Sequence, residues 1–197
     1  GFMTVITMFS FFLRRRIGLK ERRLLMQSAG STRISGVVQL IKRILIGTFI
    51  LEGLGAVILT IRFYPKMGLL RGMYNGIFHS VSAFCNAGFD IMGKYGKFSS
   101  FTTFRGDAVV NLTIISLIVI GGIGFIVWND IYKQRGNYKK YELHTKIVLA
   151  ATGCLIVFPA IIFFISEYSE AFAYLTFKDK LLASLFQSVT PRTAGFN

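Results

Sequence analysis

The sequence predicts an all-α integral membrane protein assembled from repeated units, each a membrane helix, a re-entrant half-helix with its loop, and a second membrane helix. Three observations lead there. Of the 197 residues, 53% are hydrophobic and only 16% charged, and mean hydropathy is +0.56. The apolar residues gather into long uncharged runs, unlike the dispersed pattern of a soluble domain. Two shorter apolar segments, "FHSVSAFCNAGFD" (78–90) and "FQSVTPRTAGFN" (186–197), each run into Ala-Gly-Phe.

The elements follow in chain order. The opening "GFMTVITMFSFFLRRR" is similar to the later "GGIGFIVWNDIYKQR", so residues 1–36 read as the tail of a preceding unit's second span followed by a basic loop. A complete unit occupies 37–143. Its first span is 37–61, where the run Ile44–Ile61 carries only Glu52 as a charge. A half-helix over 73–84, a loop over 85–90 and a second span over 108–132 complete it; Ala108–Trp128 is 21 residues without a charge. The next unit, 144–197, repeats the order with a span over 144–166, a half-helix over 179–189 and a loop over 190–197. About 20 helical residues cross a hydrocarbon core of about 30 Å, which fits the spans.

The half-helices do not fit that length. Twelve helical residues reach only about 18 Å. The chain on either side of 73–90 must therefore lie on one face of the membrane, so the half-helix dips in and the loop climbs back as irregular backbone. Such backbone is tolerated at depth only when buried in protein or lining a water-filled cavity. The negative end of the helix dipole then points to the membrane centre, and the carbonyls of Asn86, Ala87, Gly88 and Phe89 follow it. That arrangement favours a cation and can replace its hydration shell. Gly88 and Gly195 stand 107 residues apart, one repeat, and a residue without Cβ lets a loop turn and approach its neighbour closely.

Charge sets a topology. Of the 23 Lys and Arg, nine fall between Arg14 and Arg43 and five between Lys133 and Lys146. Basic loops stay in the cytoplasm, so the first span runs outward, the second inward and the third outward. The net charge of +14 reads as topology and contact with membrane lipids, not as nucleic-acid binding, because no stacking aromatics sit among the charges of the first block. An enzyme is excluded on composition: there is no Ser-His-Asp or HExxH pattern, and the two histidines, His79 and His144, belong to opposite faces. Cys85 and Cys154 make neither a disulfide framework nor a metal spacing.

Several residues carry two readings. Glu52, within a span, either packs helices or pairs with a cation. Gly47, Gly53 and Gly55 suit close helix packing. His79 is a hydrogen-bonding group near the outer vestibule, and Asn111 either ties its helix to the loop or sits at the interface. Asp90, with Asn197 as its counterpart, lies at the outer mouth, where Asp90 either draws cations in or caps the local backbone. Arg192, beside a cation path, should turn sideways toward Glu167 or Glu170. Trp128, Tyr64 and Tyr168 read as interfacial anchors.

At the two loops and at "GGIGF" (Gly121–Phe125) the sequence resembles the membrane subunit of the Ktr/Trk/HKT potassium uptake superfamily, most of all the bacterial KtrB type. The resemblance covers essentially the whole chain. It implies four repeats resembling potassium-channel pores around one path, with this chain holding the end of repeat one, repeat two and the first half of repeat three. It implies a filter of backbone carbonyls from Asn86–Phe89 and Thr193–Phe196, with Gly88 and Gly195 as filter glycines. Glycine at both positions is consistent with potassium; sodium is a second ion in some members. Passive uptake across a bacterial cell membrane is the implied activity, with a non-transporting assembly component as the alternative. A homodimer and a cytosolic RCK-type nucleotide-binding ring, octameric in the family, are the implied partners. The ring would dock near "YKQRGNYKKYE" and the first basic block.

Overall fold

In the computed structural model, the described residues are 37–94, 100–167 and 176–196. The expected tail and basic loop at 1–36, Tyr168, Glu170 and Asn197 lie outside them. Among the described residues the chain is helical: α1 (Val37–Met67), α2 (Leu69–Phe84), α3 (Ala108–Gly122), α4 (Phe125–Lys133), α5 (Leu143–Ser166) and α6 (Phe177–Thr193). Two of these are long and apolar enough to cross a bilayer, Lys42–Met67 and Leu143–Ser166, with mean hydropathy 2.2 and 2.6; α3 and α4 make a third if they form one span.

Four helices depart from their expected bounds, the first because α1 continues to Met67, past the expected end at 61. The first half-helix starts at Leu69, not 73, because Gly68 (φ 76°) ends α1 and α2 begins at the next residue. The second extends through Thr193, past the expected end at 189. Pro191 stays within it, although proline lacks the backbone donor and its ring crowds the carbonyl four residues back. The terminus comes instead at Gly195 (φ 80°), where the amides of Ala194 and Gly195 both donate to the Thr190 carbonyl, at 2.9 and 2.7 Å. The expected single span over 108–132 is interrupted: α3 ends at Gly122, and Gly124 takes φ 89° before α4 begins. Three glycines in four residues give that stretch little helix propensity.

The structure comprises two compact units. One holds the described residues up to Ile50 together with Gly124–Val148. There Trp128 of α4 lies where a Cβ on Gly47 would come within 3.2 Å, and Arg43 stacks over the Tyr132 ring at 5.7 Å. Buried Asp130 accepts from the amide of Glu142 at 2.9 Å, closing the turn between α4 and α5.

The other unit holds Leu51–Ile123 and the described residues from Leu149 onward. In it α2 packs on α3, and α3 on α6. Small residues permit this. A Cβ on Gly76 would fall 2.9 Å from the Ala56 carbonyl, and one on Gly55 would fall 2.6 Å from Ser80 Oγ. Gly53, expected to serve the same purpose, has nothing within 4 Å. Asp107 caps α3, its carboxylate accepting from the amides of Val109 and Val110 at 3.0 and 3.3 Å, and Thr176 caps α6.

Candidate functional site

The site grows from the C-terminal ends of α2 and α6, which lie in the same compact unit. α2 ends in a tight cascade in which Cys85, Asn86 and Ala87 donate their amides to Val81, Ala83 and Ser82 at 2.9, 3.0 and 2.9 Å. Asn86 (φ 53°) and Gly88 (φ 70°) then turn the chain through left-handed backbone, which asparagine tolerates and glycine adopts freely. Ser82 Oγ reaches along the helix and donates to the Phe89 carbonyl at 2.8 Å, fixing the far end of the loop.

The two expected filter loops touch. Thr193 Oγ1 donates to Asn86 Oδ1 at 2.6 Å, and a Cβ on Gly88 would collide with the carbonyl of Ala194. Behind them, a Cβ on Gly121 would overlap the carbonyl of Phe84, so the glycine run of α3 is what lets α2 end there. Asn86, Ala87, Gly88 and Phe89 thus lie beside Thr193, Ala194, Gly195 and Phe196. They are not equivalent in detail: Thr193 belongs to the last helical turn, whereas its counterpart Asn86 has already left the helix. Phe89 is 70% exposed; Phe196 is 3% exposed and packs edge-on to Phe101 at 5.4 Å.

An aromatic cluster holds the outer side. His79 is fully buried, in edge contact with Phe101, Phe78 and Phe63 at centroid distances of 4.9, 5.6 and 6.1 Å. Its Nδ1 lies 2.7 Å from the Asn75 carbonyl and its Nε2 accepts from the Ile91 amide at 3.4 Å, which suits the tautomer protonated at Nδ1. Asn111, 4% exposed, belongs to neither expected role. Its Nδ2 donates to the carbonyls of Phe104, Arg105 and Asp107 at 3.1, 2.9 and 2.8 Å, anchoring the outer turn to α3.

The remaining candidates resolve as follows. Asp90 Oδ1 caps the amide of Met92 at 3.1 Å, the local reading, while the residue stays exposed. Arg192 does turn sideways, but to Thr152 Oγ1 on α5 at 3.4 Å and not to Glu167. Glu52 stands at the base of the first loop: its backbone carbonyl accepts from Ser80 Oγ at 2.6 Å, and Cys85 Sγ lies 3.9 Å from its Oε1. Ser80 and Ser82 were not singled out in the sequence. Their only signal is two hydroxyls spaced around an otherwise apolar half-helix.

Membrane-length helices, with two shorter helices ending in touching glycine loops, define a multi-pass membrane protein. The chain belongs to the TrkH family, described as "Cation transport protein", which matches residues 2–197. It is 41% identical to "Ktr system potassium uptake protein B" of Bacillus subtilis (strain 168), over all of this chain and 43% of the relative. Identity is 36% to "Potassium/sodium uptake protein NtpJ" of Enterococcus hirae, over all of this chain and 42% of that protein. The Vibrio alginolyticus "Ktr system potassium uptake protein B" is 34% identical, again over 100% of this chain and 43% of the relative. The chain thus spans less than half the length of these curated relatives. The family consists of cation transporters, not enzymes.

Proposed function

We propose that the loops Asn86–Phe89 and Thr193–Phe196 are two adjacent sectors of a potassium filter lined by backbone carbonyls, within the ion-translocating subunit of a Ktr/Trk-type uptake system. The observation that carries this reading is the paired geometry of Gly88 and Gly195. Each adopts left-handed backbone just beyond the negative end of a half-helix, and the two loops are in direct contact. The carbonyls of Asn86, Ala87 and Gly88 accept no hydrogen bond among the described residues, and that of Phe89 keeps one lone pair beyond the bond from Ser82. Carbonyls without a protein donor suit an ion that sheds water on entry. The ion moves down its electrochemical gradient.

The printed names of the relatives, potassium uptake and potassium/sodium uptake, support potassium as the ion and leave sodium as a second one. Further loops of the longer protein complete the ring. Exposed Phe89 suits this, because its counterpart Phe196 is buried against Phe101 within the same compact unit. In this reading Asp90 stands at the outer mouth. A second copy of the subunit and an RCK-type nucleotide-binding ring, docking near Tyr132–Glu142 and the first basic block on the cytoplasmic side, are the partners that this reading carries with it.

Replacing Gly88 with Ser in the full-length subunit tests the proposal. Potassium over sodium selectivity should fall about tenfold, equivalent to losing one ligand's advantage of about 1.4 kcal/mol. Wild-type potassium affinity and sodium exclusion in both Gly88→Ser and Gly195→Ser, measured in cells lacking other uptake systems, would refute it.

A further inference from the structure

Away from the two loops, a cavity of about 510 Å³ opens where three helices meet at their ends, lined among others by Arg62 and Lys66 of α1, Phe104 of the outer turn, Asp107 and Val109 at the start of α3, and Lys178 of α6. Its volume lies within the range of about 300–1,000 Å³ usual for ligand pockets. The charges do not cancel within it. Asp107 is already engaged, capping α3 and pairing with Arg62 at 3.2 Å. Lys66 lies over the Phe104 ring at 4.3 Å, and neither Lys66 nor Lys178 has a carboxylate within 4 Å among the described residues. Asp179 is not in the lining, but its carboxylate stands 3.5 Å from the Cβ position of the lining residue Gly106, so one further negative charge borders the cavity.

The positive ends of α3 and α6 are answered by Asp107 and Asp179, and Lys66 stands in the last turn of α1, where the dipole is negative. The excess of positive charge in the lining therefore rests on the side chains of Arg62, Lys66 and Lys178 against that of Asp107. The polar groups sit at the ends of apolar helices, the depth at which a bilayer offers headgroup phosphates. One helical turn deeper, each helix presents an exposed apolar side chain in line with the cavity: Ile58 below Arg62, Leu112 below Val109 and Leu181 below Lys178. A cationic cup above an apolar wall is complementary to an amphiphile, not to a free anion.

We propose that this cavity binds the phosphate of an anionic phospholipid headgroup, with the acyl chains lying along Ile58, Leu112 and Leu181. Lys66 and Lys178 supply the uncompensated charge, and Arg62, held by Asp107, shapes the floor. The site is independent of the filter reading, because lipid retention and thermal stability are measured without ion flux.

The test uses the full-length protein in detergent, with phosphatidylglycerol, phosphatidylcholine or inorganic phosphate added at matched concentration. Phosphatidylglycerol alone should raise the melting temperature of the wild type and survive as a bound adduct in native mass spectrometry. In Lys66→Gln/Lys178→Gln, which leaves the Arg62–Asp107 pair intact, half the thermal shift should need about tenfold more phosphatidylglycerol. Lys66→Arg/Lys178→Arg should respond as the wild type does. Three results would overturn the proposal: equal retention of both lipids by the wild type, an unchanged response in the Gln variant, or a full shift from inorganic phosphate alone.

Discussion

Thr193 and Asn86 are joined by a hydrogen bond of 2.6 Å, although 107 residues separate them, and each stands two residues before the glycine of an Ala-Gly-Phe. Residues at matching places in two similar segments are donor and acceptor of a single contact. One residue type differs between them, and that difference supplies the missing partner: a threonine hydroxyl donates where an amide oxygen can accept. The contact ties the second loop to the first at the point where both leave their helices.

Thr193→Val should therefore loosen the loops without altering side-chain volume much. A neutral hydrogen bond contributes about 1 kcal/mol net, so potassium affinity in the full-length subunit should weaken about fivefold. Uptake kinetics at low external potassium would show it, and an unchanged half-saturation concentration would mean that the contact does not set the loop geometry.

Gly88→Ala should be far more damaging than Gly93→Ala. A Cβ on Gly88 meets the Ala194 carbonyl head-on and also occupies left-handed backbone, whereas Gly93 has nothing within 4 Å. The backbone penalty alone is about 1–2 kcal/mol, before the overlap is relieved. A loss of potassium over sodium selectivity of at least about tenfold in the first variant, as in Gly88→Ser, and normal uptake in the second is the expected pair of results.

The neighbouring glycines Gly121 and Gly122 should differ as sharply. On Gly121 a Cβ would overlap the Phe84 carbonyl, and relieving this means shifting the end of α2; on Gly122 the nearest atoms belong to the Asn86 side chain at 3.7 Å, an ordinary contact. Overpacking of this kind costs about 1–3 kcal/mol. Gly121→Ala should lower the melting temperature of the solubilised protein by several degrees, and Gly122→Ala should leave it near wild type.

Asn111 offers a test in which charge matters more than shape. Asn111→Ala strands the Arg105 carbonyl, while those of Phe104 and Asp107 keep the amides of Asp107 and Asn111, so the cost should be about 1–3 kcal/mol. Asn111→Asp keeps the shape but points a carboxylate oxygen at the same acceptors, so it should be the less stable of the two. Thermal melting in detergent ranks them; an Asp variant as stable as wild type would show that the outer turn does not depend on this donor.

Much of this protein was legible in its sequence because much of it is set locally. The membrane helices follow from the length of uncharged apolar runs, since a bilayer demands a fixed span of apolar helix. The half-helices follow from being too short for that span, and the loop glycines from backbone angles that other residues adopt only at a cost. The break at Gly124 was also written in "GGIGF", yet the surrounding apolar run outweighed it in the reading.

What the tertiary structure decided are the relations between distant positions. Neither periodicity nor composition says that Asn86 meets Thr193, that the Ser82 hydroxyl turns to the Phe89 carbonyl, or that Arg192 chooses Thr152 over Glu167. These depend on which helix faces pack together, and on how far α6 continues past Pro191 before its backbone turns. Nor could Arg62, Lys66 and Lys178 be read as one site, because they come from helices whose ends meet only after packing. Local sequence fixes what a segment can be, whereas hydrogen bonds and charge clusters require groups within a few ångströms, and only the folded chain brings residues a hundred positions apart to that distance.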